Sequence, residues 1–291
     1  MNLLKDIQPP MFTRVIWTSA AAKSRWADVL KRASNLTSRL EVESVIAGQR
    51  PVTWQTISEE SAPETMMRWA DDGLIGIPIK RVGKFEGFAH RHTPTAEGRT
   101  GNLCIAVART MTDAQAFKAA FLANDSVRQG ELLGYPLCCG RFFQENWAAG
   151  YIDPIWQAAM NTAENTLLHP ADNRIRISGP APFSNAMLRY AGLRLGFHIP
   201  HSFDCEESYK VNMERLKLGE KFDAPLMADI LNLLRMPMSW DCYHGVAIVR
   251  TPIFYIEVGS MMTAERYIVE VEGDFIPAEG AKGTRFPFTA E

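Results

Sequence analysis

The chain has 291 residues, of which 46% are hydrophobic and 22% charged, and its formal net charge is −2. That length is enough to bury a sizeable core as one large domain or two small ones, and that composition excludes extensive disorder. The near-neutral charge gives no general attraction to nucleic acid or anionic membrane, and no apolar run reaches the roughly 18 residues that cross a bilayer.

In chain order, Met1 to Pro10 is charged, carries two prolines and lacks the apolar stretch of a signal peptide, so a cytoplasmic protein is expected. Phe12 to Trp17 reads as a strand. A helix opens near Thr18 or Ser19, with Trp26, Val29, Leu30, Ala33, Leu36 and Leu40 on one face, and Gly48 ends it. Val52 to Ile57 alternates like a strand. Ser61 with Glu64 has capping-box spacing, with Pro63 in the first turn, which predicts a helix through Trp69. Three strands follow over Leu74 to Ile79, Lys84 to Ala89 and Leu103 to Ala108, separated by turns at Gly83 and Gly98 to Gly101. Thr112 with Gln115 repeats the capping pattern and opens a helix through Leu122.

From Ser126 to Leu218 the pattern is mainly helical. Pro136 breaks one helix, and another starts at Leu137 and carries Phe142, Phe143 and Trp147. Further helices are expected over Pro154 to Leu167, over Phe183 to Leu195, from Cys205 onward, and over Pro225 to Leu234. Met238 to Ile276 turns β-rich, with strands over Val246 to Val249, Ile253 to Val258 and Tyr267 to Val271, and the tail beyond Pro277 reads as loop. The expected fold is α+β, with β-rich N- and C-terminal parts around a mainly helical middle. A single domain over 1–291 is expected, comprising an α/β part (1–125), a helical part (126–236) and C-terminal strands (237–291).

Five cysteines are too few and too unevenly placed for a disulfide scaffold. Cys138, Cys139, Cys205 and Cys242 lie in one central stretch with His198, His201 and His244. In Gly134-Tyr135-Pro136-Leu137-Cys138-Cys139 a tight turn feeds a helix whose first residues are thiols. Unpaired backbone N–H groups and the positive helix end there favour thiolate. Neighbouring side chains on a helix diverge by about 100°. One thiol of the pair is therefore expected at a site and the other in the core; a vicinal disulfide would be strained. The second element runs from His198 to Ser208. Asp204 and Glu207 have the spacing of an N-cap and its N3 carboxylate, Cys205 opens the helix, and Pro200 fixes the loop that carries His198 and His201. Two imidazoles, Cys205 and one thiol of the first element make a four-donor N/S set suited to zinc, or to iron if one position stays open.

The pair G-Y-P-x-C-C-x-x-F and H-x-P-(H/C)-S-F-D-C-x-x-S, spanning Leu132 to Tyr209, resembles the signature of a poorly characterised family of archaeal and bacterial proteins with no established activity. The resemblance implies that Cys138, Cys139, His201 and Cys205 occupy its motif positions. The family carries Cys where this chain has His201, a departure that speaks against thiol redox chemistry and suits ligation.

The function expected is therefore that of a metal-dependent enzyme. Zinc or non-haem iron would be held by Cys138 or Cys139, His198, His201 and Cys205, and the substrate would be a small molecule or nucleotide-like compound. His244 is the candidate outer acid/base, with Asp241 and Cys242 lining a pocket or adding a ligand; Glu206 and Glu207 are further candidates as a base or as ligands of a hard cation. His90 and His92 share one face of an extended segment and read as surface. Two alternatives stand beside this expectation. One is a non-enzymatic protein with a structural zinc that serves partner or nucleic-acid binding, for which Arg174, Arg176, Arg189 and Arg194 are the local basic residues. The other is a metal-free thiol enzyme. No phosphate loop, G-x-G-x-x-G, H-E-x-x-H or deaminase pattern occurs.

Overall fold

A computed structural model describes residues 12–83, 85–86, 91–92, 94–148, 158, 161–162, 166–169, 174–177, 186–236, 238–241 and 246–259. The elements in order are β1 (Phe12–Trp17), α1 (Ala20–Ile46), β2 (Val52–Ser58), α2 (Ala62–Asp71), β3 (Ile75–Val82), β4 (Phe85–Glu86), β5 (Arg91–His92) and β6 (Asn102–Ala108). They continue with α3 (Met111–Leu122), α4 (Ser126–Leu132), α5 (Leu137–Phe143), β7 (Thr166–His169), β8 (Arg174–Ile177), α6 (Glu206–Leu234), β9 (Met238–Asp241), β10 (Val246–Arg250) and β11 (Phe254–Gly259). A π-helical turn over Gln144–Ala148 extends α5, and a 3-10 turn covers Ala186–Ala191. The fold is α+β.

Strands from both ends of the chain share one antiparallel sheet in the order β1-β11-β10-β9-β8-β7. The register of β1 on β11 runs from Phe12 opposite Gly259 to Trp17 opposite Phe254. A second sheet has the order β2-β6-β3. Its central strand β6 is buried on both faces, which is why it reads as a nearly unbroken apolar run. Ala106 and Ala108 face Ala114, Phe117, Leu132 and Leu133 of α3 and α4. Ile105 and Val107 face Val45 at the end of α1 and Trp69 of α2. Helix α1 ties the two sheets together, because its earlier turns place Leu30, Ala33, Leu36 and Leu40 in the core that Leu226, Met227, Ile230, Leu234, Phe254 and Ile256 complete. Each fully buried side chain of this kind stabilises the fold by about 1.5–3 kcal/mol.

Local differences from the sequence pattern have physical causes. The middle of the chain is not helical throughout. β7 and β8 lie within it, and Leu167, expected to end a helix, is in β7. Arg174-Ile175-Arg176-Ile177 has a two-residue period, and the edge of β9 supplies its partner. Of the helix expected over Phe183 to Leu195, the described residues form a 3-10 turn over Ala186–Ala191 and leave it after Ala191. Thr110, not Thr112, caps α3: its hydroxyl accepts from Asp113 N and donates to Asp113 Oδ2 (2.6 Å). Ser61 makes no side-chain cap, because its hydroxyl is taken by Ser58 (2.7 Å). The two helices expected from Cys205 and over Pro225 to Leu234 join as α6 across a break at Asp223, whose φ of −159° and ψ of 84° are not helical. Pro225 cannot donate to the turn before it, and Asp223 Oδ1 restarts the helix by accepting from Leu226 N (3.0 Å). The expected strand over Lys84 to Ala89 is described only at Phe85–Glu86, and Tyr267 to Val271 lies outside the described residues.

Candidate metal centre

The turn that delivers the first two thiols is fixed by Gly134. Helix α4 ends with Gly134 N–H donating to Glu131 O (3.0 Å) and Tyr135 N–H to Gly130 O (2.9 Å), a paired closure that needs a left-handed residue. Gly134 supplies it with φ of +68°. Pro136 then caps α5, so Cys138 and Cys139 fall in its first turn. The second element ends at α6, whose N-cap is Cys205 itself: its sulfur accepts from Ser208 N–H at 3.4 Å. Asp204, the expected cap, is one residue too early.

The two helix starts bring four donor atoms together. Cys138 Sγ lies 3.9 Å from Cys139 Sγ and 3.9 Å from Cys205 Sγ, and Cys139 Sγ lies 3.7 Å from Cys205 Sγ. His201 Nδ1 is 3.6 Å from Cys139 Sγ. All four donors fall within 4.8 Å of one another. Zinc bonds of about 2.3 Å to sulfur and about 2.0 Å to nitrogen, at tetrahedral angles, require edges of about 3.8 Å between sulfurs and about 3.5 Å from sulfur to nitrogen. The three sulfur–sulfur spacings and the spacing from Cys139 to His201 are close to those edges, so the donor set fits a metal ion.

Two expectations change here. Both thiols of the Cys138–Cys139 pair belong to the cluster, and neither is set aside in the core. Their divergence is no obstacle, because sulfurs that point apart by about 100° can still form one edge of a tetrahedron. They are not bonded to each other. His198 is not among the four. Its Nε2 lies 2.7 Å from Ser208 Oγ, which in turn lies 3.3 Å from Cys139 Sγ, so it stands behind the donors.

The electrostatics follow from this packing. Cys205 is held down to about 4, first because its thiolate accepts from Cys139, with Ser208 adding further donors. Cys139 is pushed up as the donor to Cys205 and by burial, although His201 N–H also points at its sulfur (3.4 Å). Cys138 is pushed up by partial burial and by Cys205. The low thiol is thus the cap of the longer helix, not one of the pair that opens the seven-residue α5. Burial, followed by the charges of Arg215 and His201, takes His198 down to about 3, so its ring is neutral. Cys139 and Cys205 are buried, His201 is half-buried and Cys138 is exposed. The loop between His201 and α6 is held by Phe203 N–H, which donates to Thr162 Oγ1 (2.8 Å), and by Asn161, which donates to His201 O (2.9 Å).

The other expected residues are scattered. Glu206 and Glu207 are exposed in the first turn of α6, and Glu207 pairs with Lys210. Asp241 ends β9, and Cys242 and His244 lie outside the described residues. His92 ends β5 and His90 lies outside the described residues. Arg174 and Arg176 belong to β8, while Arg194 turns inward onto Glu41.

The sequence reading missed a buried polar network behind His198. Tyr135 stacks on His198 with ring centroids 5.2 Å apart, and its hydroxyl donates to Phe197 O (3.0 Å). Arg50, Arg194 and Arg215 surround the Phe197 ring, and Glu41 faces them. One signal was available: Thr37, Glu41 and Ser44 continue the buried stripe of α1, so polar groups had to find partners inside. Searches against protein families, curated proteins and solved structures gave no match. Among the described residues, no helix is long and apolar enough to cross a membrane.

Proposed function

We propose that the chain is a zinc protein in which Cys138, Cys139, His201 and Cys205 hold one ion, and that the ion fixes the starts of α5 and α6 instead of carrying out a reaction. The observation that carries this is the convergence of four protein donors within 4.8 Å, with sulfur edges of 3.7 to 3.9 Å that match a tetrahedral zinc. Four protein ligands saturate zinc, which is the pattern of a structural site; a catalytic zinc keeps a position for water or substrate. Three thiolates and one imidazole are also a soft donor set that favours zinc over hard cations. In this reading the metal closes the gap between two elements 62 to 67 residues apart in sequence.

A metalloenzyme is the second reading, favoured by the exposure of Cys138. A small-molecule or nucleotide-like substrate would reach the ion from that side and displace one thiolate, and iron in place of zinc would strengthen this reading.

The test is elemental analysis of protein purified without chelator, followed by X-ray absorption at the metal edge. About one zinc per chain with a shell of three sulfurs and one nitrogen is expected. An oxygen in that shell would replace the structural reading with the catalytic one, and a metal-free, folded protein would remove both.

A further inference from the structure

We propose that Arg50, Arg194 and Arg215, gathered around Phe197, form a binding site for a phosphoryl dianion, either free phosphate or the phosphate of a small ester. This site is independent of the metal reading and is built by other side chains. The guanidinium carbons of Arg215, Arg50 and Arg194 lie 4.1, 4.6 and 5.9 Å from the centre of the Phe197 ring. Arg215 and Arg50 are 2% and 3% exposed, so their charges are removed from water.

The charges at this place do not balance. Among the described residues one buried carboxylate answers them: Glu41 pairs with Arg194 through Oε1, and its Oε2 lies 3.9 Å from Arg50 Nη2. Glu214, which also acts on Arg215, is exposed, and water screens it. A loaded zinc centre with three thiolates would carry a net charge of −1 beyond His198, which still leaves a positive charge uncompensated. Buried cations without a counter-charge are strongly disfavoured, and an anion is the direct remedy.

The hydrogen-bonding capacity is also underused. Arg50 Nη2 donates to Glu41 O (2.6 Å) and Thr53 Oγ1 (2.8 Å), but Arg50 Nε is buried with no partner among the described residues. His198 Nδ1, beside Tyr135, is buried and unpartnered in the same way. Among the described residues Arg215 hydrogen-bonds Leu195 O, at a long 3.4 Å. Guanidinium forks match the oxygens of a phosphoryl group and bind it through paired, charge-assisted bonds. A dianion suits the excess of positive charge better than a monoanion does. Of the three, Arg194 is the one in reach of solvent, its side chain 35% exposed.

The experiment is a titration of the full chain with inorganic phosphate, read by calorimetry and by the melting temperature, against chloride at matched ionic strength. Phosphate should bind and raise the melting temperature where chloride does not, and Arg194→Gln should weaken phosphate binding at least about tenfold. AMP as a competitor sorts the sources, since an ester preference over free phosphate points to a phosphorylated small molecule. Should Arg194→Gln fail to fold, the arginine Nε–H signals of the wild-type protein carry the test, because phosphate is expected to shift those of Arg50 or Arg215. Equal effects of phosphate and chloride, unchanged affinity in Arg194→Gln, or unmoved Nε–H signals would each overturn the proposal.

Discussion

Two polar clusters adjoin His198, one partly exposed and one buried, and they call for partners of opposite charge. On one side three thiols and an imidazole converge as a donor set for a cation. On the other, three guanidiniums converge and, among the described residues, one buried carboxylate answers them. A buried polar group needs a partner wherever it sits, but the partner's chemistry differs. The thiol cluster accommodates its own charge in part: Cys139 donates to Cys205, so a single low thiol serves the group. Guanidiniums have no such recourse, because they give up a proton only with difficulty, even though burial lowers Arg50 and takes Arg215 down to about 9. A cysteine cluster tolerates the absence of its ion by protonation, whereas an arginine cluster has to recruit counter-charge.

The largest effect expected from breaking this contrast is at Cys205. Cys205→Ala removes one donor and the cap of α6, and zinc content should fall from about one per chain to near zero. Binding of a structural zinc contributes on the order of 10 kcal/mol to a folded site, so the melting temperature should drop far more than loss of a helix cap explains. Metal analysis beside a thermal scan checks this, and full zinc retention in the variant would remove Cys205 from the ligand set. Proton release sharpens the same side. At pH 7 Cys205, at about 4, is already thiolate, whereas Cys138 and Cys139 lie above their ordinary range and are protonated. Zinc uptake at that pH should therefore release about two protons, and affinity should rise about a hundredfold per pH unit. As pH falls toward 4, Cys205 takes up its proton as well and the metal is lost. Calorimetry in buffers of different ionisation enthalpy counts the protons; a count near zero would show that the thiolate is not confined to Cys205, and a count near three that Cys205 is protonated before the metal binds.

Much of the thiol side was legible in the chain. Gly134-Tyr135-Pro136 announces a turn into a helix, Pro200 and Cys205 announce another, and local geometry makes both. The arrangement of the donors was less legible, because it depends on how two helix starts meet across 67 residues of sequence. The cap moved by one residue, from Asp204 to Cys205, and of the two histidines expected among the donors His201 joins the cluster while His198 stands behind it. The arginine side was nearly invisible. Arg50 follows Gly48 in what reads as a surface loop, Arg215 sits in the middle of α6, and Arg194 looks like part of a basic face. Only tertiary packing brings them to one aromatic ring. β7 and β8 were missed for the same reason, since strands four residues long show their identity chiefly through their partner at β9.

A smaller effect is expected at the atom that touches the thiol side and its support together. Ser208 is 1% exposed, with its hydroxyl between His198 Nε2 and Cys139 Sγ. Ser208→Ala leaves a buried ring nitrogen without its partner and should cost about 1–3 kcal/mol in unfolding free energy. Groups behind a ligand typically change metal affinity by about 10- to 100-fold, so competition with a chromophoric chelator should find zinc bound more weakly but still at full stoichiometry. Unchanged affinity would mean that Ser208 supports only the packing of α6.

The mildest change falls on the arginine side. Tyr135 is the residue common to both clusters: its ring stacks on His198, and its hydroxyl holds the carbonyl of Phe197 at 3.0 Å. Burial pushes the phenol's pKa up, so over the range in which the protein is handled it acts only as a neutral donor. Tyr135→Phe keeps the stack and removes the donor. The expected cost is about 1 kcal/mol, read as a small shift of the denaturant midpoint at constant slope. Zinc stoichiometry and affinity should not change, because the ring still backs His198. Phosphate binding should weaken slightly, because the Phe197 backbone is freed and the ring that carries three guanidiniums loses its anchor. The reverse pattern, weaker zinc with phosphate binding intact, would show that the phenol acts toward the thiols and that the two clusters are not divided at His198.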